Sequence, residues 1–174
     1  MNRDYTLVID TREKKPLIFP ANIRVLSEQS SPHLAKTNLI RVHTKKEKLD
    51  TGDYLLKGFE GITMIERKGC LREVATNCLN KNDRKRFIAC LERMKDACSE
   101  PILLLEGTPL ETLRKSKHVP EPGAAVDALM RLLTEYEIKL LLLPTSSSAQ
   151  RRATGEWAAR LLINGAIHGT RRNN

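Results

Sequence analysis

Aromatic residues make up only 4% of the 174 positions. A protein that stacks successive unpaired bases on aromatic rings needs more of them, so contact with phosphates is favoured over contact with splayed bases. Long hydrophobic runs are also missing. The longest, Ile102–Leu105 and Leu140–Leu143, fall far short of the ~20 residues that span a bilayer, and no membrane partner is expected. The first residues, Met1-Asn2-Arg3-Asp4-Tyr5, enter a strand-like run without the layout of a signal peptide. Cysteine is sparse. Cys70, Cys78, Cys90 and Cys98 form no C-x-x-C pair and are too widely spaced for a zinc site. They read as reduced, mostly buried thiols of a cytoplasmic protein that is not secreted. Repeats, low-complexity tracts and linkers are absent. The expectation is a single domain over residues 1–168, with a frayed tail at 169–174.

What the chain does have is positive charge. Lys and Arg number 30 against 21 Asp and Glu, for a net charge of +9 and a pI near 9.6. This balance suits a polyanionic partner, most simply nucleic acid. With 40% apolar and 29% charged residues the chain has the composition of a folded domain.

Tyr5–Asp10 reads as a buried strand, and Pro16 and Pro20 break the segment after it. Asn22–Ser27 fits a strand or one helical turn, and Ser30-Ser31-Pro32 a turn. Thr37–His43 alternates as a strand, and Lys45, Lys46 and Lys48 form a basic loop. Asp53–Lys57 and Ile62–Lys68 are strands joined by Gly58-Phe59-Glu60-Gly61, a hairpin signal. A helix over Leu71–Leu79 precedes a second, capped by Asn82 or Asp83 and running to about Cys98. Its Phe87, Leu91, Met94 and Cys98 fall on one face. Ile102–Leu105 is a covered strand. Residues 107–123 form an exposed, proline-broken excursion carrying Arg114, Lys115 and Lys117. Gly123–Glu137 is a helix, Ile138–Leu143 a strand and Ser147–Ile163 a helix. Trp157, with Leu161 one turn on, is expected in the core. The fold class is α/β, with a mixed central sheet flanked by helices.

The chemistry concentrates between Gly52 and Lys68. A four-residue turn at 58–61 pairs Lys57 with Ile62, and the same register sets Asp53 opposite Glu66, with Cβ atoms about 4.5–5.5 Å apart. A two-residue turn at 59–60 keeps that register; a three- or five-residue turn breaks it. Opposed carboxylates repel, so one takes a proton or a cation sits between them. Mg²⁺ or Mn²⁺, hard ions with oxygen ligands, are the natural occupants. Lys68 projects from the same face as Glu66, and Arg67 from the other. Two carboxylates, a divalent ion and an ammonium suit phosphodiester hydrolysis by activated water. The plainer reading is a solvated hairpin. The apolar neighbours Tyr54, Leu55, Leu56, Ile62, Met64 and Ile65 speak against it, because they imply strands covered on both faces, where unpaired charge is costly.

Asp10-Thr11-Arg12-Glu13, Leu49-Asp50-Thr51-Gly52-Asp53-Tyr54 and Ile65-Glu66-Arg67-Lys68 resemble, in order, the motifs of the XPF-type structure-specific endonuclease domain, within the PD-(D/E)XK superfamily. Arg86 and Leu103-Leu104-Leu105-Glu106-Gly107 match a later element. The resemblance spans most of residues 5–164 and implies a restriction-endonuclease-like fold that cuts branched or flap DNA in recombination, repair or replication. It implies that Asp53, Glu66 and Asp10 serve the metal, that Lys68 is the catalytic lysine, and that the Arg67 carbonyl assists. It matches Arg12 and Glu13 to family positions of less defined role, and makes Arg86 a phosphate contact or a brace of the acidic cluster. One position departs: the family's Asp after the lysine is Arg72 here, and Glu73 is the candidate substitute. The helix-hairpin-helix module and helicase half of many relatives have no counterpart, so a homodimer or partner subunit is an expected aid to recognition.

Lys81, Arg84, Lys85 and Arg86 crowd a helix start, where cations oppose the helix dipole and a phosphate partner is attractive. Arg86 and Lys85 of this helix start, with Arg12 and Arg67 of the motifs, are the candidate DNA contacts. The competing readings are a non-catalytic DNA-binding module, the degenerate partner of an active subunit, and an RNA-binding basic protein.

Overall fold

The computed structural model describes residues 3–27 and 36–169. The turn expected at Ser30-Ser31-Pro32 and the tail 170–174 lie outside them; Gly169 is helical. The strands are β1 (Arg3–Asp10), β2 (Asn22–Leu26), β3 (Thr37–Glu47), β4 (Tyr54–Leu56), β5 (Thr63–Lys68), β6 (Glu100–Glu106) and β7 (Lys139–Leu143). The helices are α1 (Leu71–Leu79), α2 (Lys81–Ala97), α3 (Pro109–Thr112), α4 (Pro122–Glu135) and α5 (Ser148–Gly169). All seven strands join in one sheet, ordered β2-β3-β1-β4-β5-β6-β7. β1 runs parallel to β3 and antiparallel to β4, while β5, β6 and β7 are parallel to one another. This is the mixed, helix-flanked sheet expected from the sequence.

Successive strand residues feed two cores. Leu7, Ile9, Tyr54, Leu56, Ile65, Ile102 and Leu104 pack on one face with Ala158, Ala159, Leu162 and Ile163 of α5. Val8, Leu55, Met64, Leu103 and Leu105 pack on the other with Val74 of α1, Phe87, Leu91 and Met94 of α2 and Leu129 and Leu132 of α4. Strands covered on both sides need apolar residues at every position, which accounts for the unbroken run Ile102–Leu105. Gly155 lets α5 lie on the loop after β1, since a Cβ there would run into the Ile18 carbonyl.

Three expectations are corrected. Lys45 and Lys46 lie in β3, not in a loop, because Val8 and Ile9 of β1 pair with them and hold the chain extended. Asn80 caps α2, its side chain accepting from the Asn82 and Asp83 N–H groups at 3.0 and 3.3 Å. Trp157 is 56% exposed. The small residues Ala158 and Ala159 take the buried side of α5, and Trp157 falls about 100° away from Ala158. Of the four cysteines, all free, Cys78 and Cys98 are buried, Cys90 is half-buried and Cys70 is exposed.

Candidate active site

The β4–β5 hairpin has the predicted register: Tyr54 pairs with Ile65 and Leu55 with Met64. Beyond the end of β4, Asp53 is still clamped on both sides. Its N–H donates to the Ile65 carbonyl at 2.8 Å, and its carbonyl accepts the Asp10 N–H at 2.9 Å. Gly52 enters this clamp at φ +75° with the Met64 side chain directly over its Cα, so a side chain there would be both strained and obstructed.

Asp53 Oδ2 accepts the Arg67 N–H at 2.8 Å. Burial, and then the nearby Glu66 carboxylate, push the Asp53 pKa up to about 7. Glu66 Oε1 accepts from Lys68 Nζ at 2.8 Å, and Glu73 Oε1 stands 3.5 Å from the same ammonium. The aliphatic arm of Lys68 passes into the helix side of the sheet, where its ammonium lies 5.5 Å from the Phe87 ring centre. Burial pulls the lysine pKa down, but the Glu66 charge outweighs it and the net direction is up. Lys68 is therefore an ammonium at neutral pH. Glu73 Oε2 also accepts the Gly69 N–H at 2.9 Å, so this acid reaches back over the start of α1.

Asp10 is close in the chain network but is held differently. Its carboxylate, fully buried, accepts from Arg12 N–H, Nε and Nη2 at 2.6, 2.8 and 2.8 Å and from the Leu49 N–H at 2.9 Å. The Arg12 side-chain bond is the main reason its pKa falls to about 2. In this arrangement Asp10 ties the ends of β1 and β3 together beneath Asp53. Arg12 is 62% exposed, and Asp53 and Glu66 add to the field that raises its pKa after Asp10.

Arg67 points to the opposite face, as strand alternation requires. Its guanidinium pairs with Glu13 at 2.9 Å and with Glu106, whose other oxygen accepts from Thr145. The Arg67 side chain is 11% exposed, so it links the loop after β1 to the end of β6 and presents little surface to a ligand. Lys85 and Arg86 are exposed; Arg86 is paired with Asp83 at 3.9 Å. Arg86 thus braces its own helix and not the acidic cluster. The structure brings together Asp53, Glu66, Lys68 and Glu73, with Arg12 and Asp10 alongside, and leaves Arg86 and Lys85 outside. Sequence reasoning missed the Glu13–Arg67–Glu106–Thr145 chain. Glu13 and Glu106 stood inside the motifs and were the available signal; Thr145 and the Leu49 amide gave none.

Among the described residues no three Asp, Glu, His or Cys side chains converge into a complete ligand set. Mg²⁺ does not need one, since it keeps waters and is commonly held by one or two carboxylates plus substrate phosphates. Asp53 and Glu66 fit that pattern. The raised Asp53 pKa marks a charge pair that a cation would relieve.

The fold resembles solved structures of XPF from Aeropyrum pernix. One is 17% identical with a TM-score of 0.54, covering 90% of this chain and 60% of that one. Another, a complex with DNA, is 15% identical with a TM-score of 0.52, covering 97% and 66%. The chain thus spans about three fifths to two thirds of those proteins. No curated protein matches. The ERCC4 domain family matches residues 9–161, a stretch that holds all three motifs and every strand from the end of β1 onward, and the chain belongs to that family.

Proposed function

We propose that this protein is an Mg²⁺- or Mn²⁺-dependent endonuclease that hydrolyses DNA phosphodiester bonds at branched or flap structures, in recombination, repair or replication. The observation that carries this reading is the Asp53–Glu66 pair with the Lys68 ammonium beside it. Family membership and the likeness to an XPF structure bound to DNA support the choice of polymer. Asp53 and Glu66 would hold the ion. When bound, it supplies a Lewis acid for the phosphoryl oxygen and lowers the pKa of its water.

The chain's own groups do the rest. Lys68, kept charged by Glu66, is unsuited to accept a proton and suited to stabilise negative charge gathering on phosphate. A cation held by Asp53 and Glu66 would favour the ionised Asp53, so metal uptake and proton release would be coupled. Asp10 and Arg12 hold the Asp53 backbone in place. Arg12, exposed beside the acids, is the group on this side best placed to meet a DNA phosphate.

Arg72, at the family's acidic position, favours a second reading: a DNA-binding module that does not cut. Incubating labelled flap DNA with Mg²⁺ or with EDTA separates the two. Cutting by the wild type in Mg²⁺, lost with Lys68→Met by about 10²–10³-fold, supports the enzyme. Binding without cutting in either protein supports the module.

A further inference from the structure

The parallel strands β5, β6 and β7 all end on one side, the side where open α/β sheets seat ligands. There the structure has a cleft of about 690 Å³ whose lining begins at Gly69 and Cys70 and includes Arg72 and Arg114. Its floor is Glu106 and Thr145, and its far wall is the 107–121 excursion.

The charged groups of this cleft divide into those with partners and those without. Glu106 is taken up by Arg67 and Thr145. Glu111 closes the capping box of α3, accepting the Thr108 N–H at 2.7 Å. Lys115 has Glu121 at 3.4 Å. Arg72 and Arg114 are exposed, and among the described residues neither has an acidic partner within 4.0 Å. α1 also begins here, where Glu73 of its own first turn accepts the Gly69 N–H at 2.9 Å. Two guanidinium groups without an acidic partner therefore share one concave site, an arrangement that suits an anion with several oxygens.

Its position identifies the anion. The lining starts at the residue after Lys68, and Lys68 to Cys70 spans at most about 8 Å of chain. A strand whose scissile phosphate lies at Lys68 has this opening within reach. We infer that the cleft seats a backbone phosphate of the cut DNA strand next to the scissile one, with Arg72 and Arg114 as its contacts. The inference rests on the nuclease reading for the location of the scissile phosphate. It gives Arg72 a task of its own: where the family pattern has an acid, this chain has a strand-positioning cation.

The test is binding of a fluorescent flap DNA in EDTA, titrated with salt, so that no cutting is involved. Arg72→Gln with Arg114→Gln is compared with a control pair, Arg24→Gln with Arg41→Gln, which removes the same charge from the exposed edge formed by β2 and β3. The cleft pair is expected to weaken binding about tenfold and to lower the log–log salt slope by about 1. Flaps carrying one neutral methylphosphonate at successive positions should show one position beside the cut where the wild type loses affinity and the cleft variant does not. Flaps with and without a 5′-phosphate should behave alike, since the site takes an internal diester; dependence on the terminal phosphate would overturn that assignment. Wild-type affinity and slope in the cleft variant, or a loss no greater than in the control pair, would sink the proposal. The nuclease reading fails by a different result, undiminished cutting by Asp53→Asn in Mg²⁺.

Discussion

Asp10 and Asp53 are joined by a backbone hydrogen bond across β1 and β4, yet the fold treats their carboxylates in opposite ways. Both are desolvated, and burial raises the pKa of each. Asp10 meets a guanidinium and two backbone N–H groups and drops to about 2. Asp53 meets one N–H and a second carboxylate, and rises to about 7. At Asp10 the bound guanidinium outweighs burial; at Asp53 burial prevails and the second carboxylate adds to it. The two lie side by side because an anchor is useful only where it can hold the other in place.

Breaking the reactive half has the largest expected effect. Asp53→Asn should lower Mg²⁺-dependent cutting of flap DNA by more than about a hundredfold, beyond what loss of an outer partner costs, without loss of folding. Breaking the anchor comes next. Asp10→Ala strands the Leu49 and Arg12 N–H groups and should lower stability to urea by about 2 kcal/mol, with activity falling as a consequence of misplacement. The pH dependences sharpen the contrast, because their signs differ. Asp10 has a depressed pKa, so its stabilisation is full above about pH 4 and is lost as pH falls toward 2. Asp53 has a raised one, so in EDTA it costs stability progressively as pH rises from about 4 to 7. Melting curves of Asp53→Asn should therefore cross above the wild type at pH 8 and converge with it at pH 4. Those of Asp10→Asn should lack the wild type's drop between pH 4 and 2. The smallest effect is expected from Arg12→Lys, which keeps the charge but loses the two-pronged grip on Asp10, at about 1 kcal/mol.

Local features were legible in the sequence. The turn residues Gly58 and Gly61 pointed to the hairpin, whose pairs Tyr54–Ile65 and Leu55–Met64 have the expected register. Apolar periodicity located the buried face of α2, Phe87, Leu91, Met94 and Cys98. What was hidden depends on partners distant in the chain. Lys45 and Lys46 look like loop residues until β1 is laid beside them. Trp157 looks like a core residue until the neighbouring alanines are seen to occupy the close approach. Arg67 looks like one more cation in a basic protein. Only the folded chain shows it gripping Glu13 and Glu106, because ion pairs across 54 and 39 residues leave no local pattern.

That grip constrains motion as well as position. Glu66 and Lys68 flank Arg67 on β5, so sliding this strand against its neighbours would tear a two-sided guanidinium clasp before Glu66 and Lys68 could leave Asp53. The acidic cluster is thereby held in place, and the backbone of β5 should be among the last to exchange its hydrogens with solvent. In the nuclease proposed above, adaptation to a forked substrate would then fall to the outer rim, chiefly the 107–121 excursion, while the centre stays rigid.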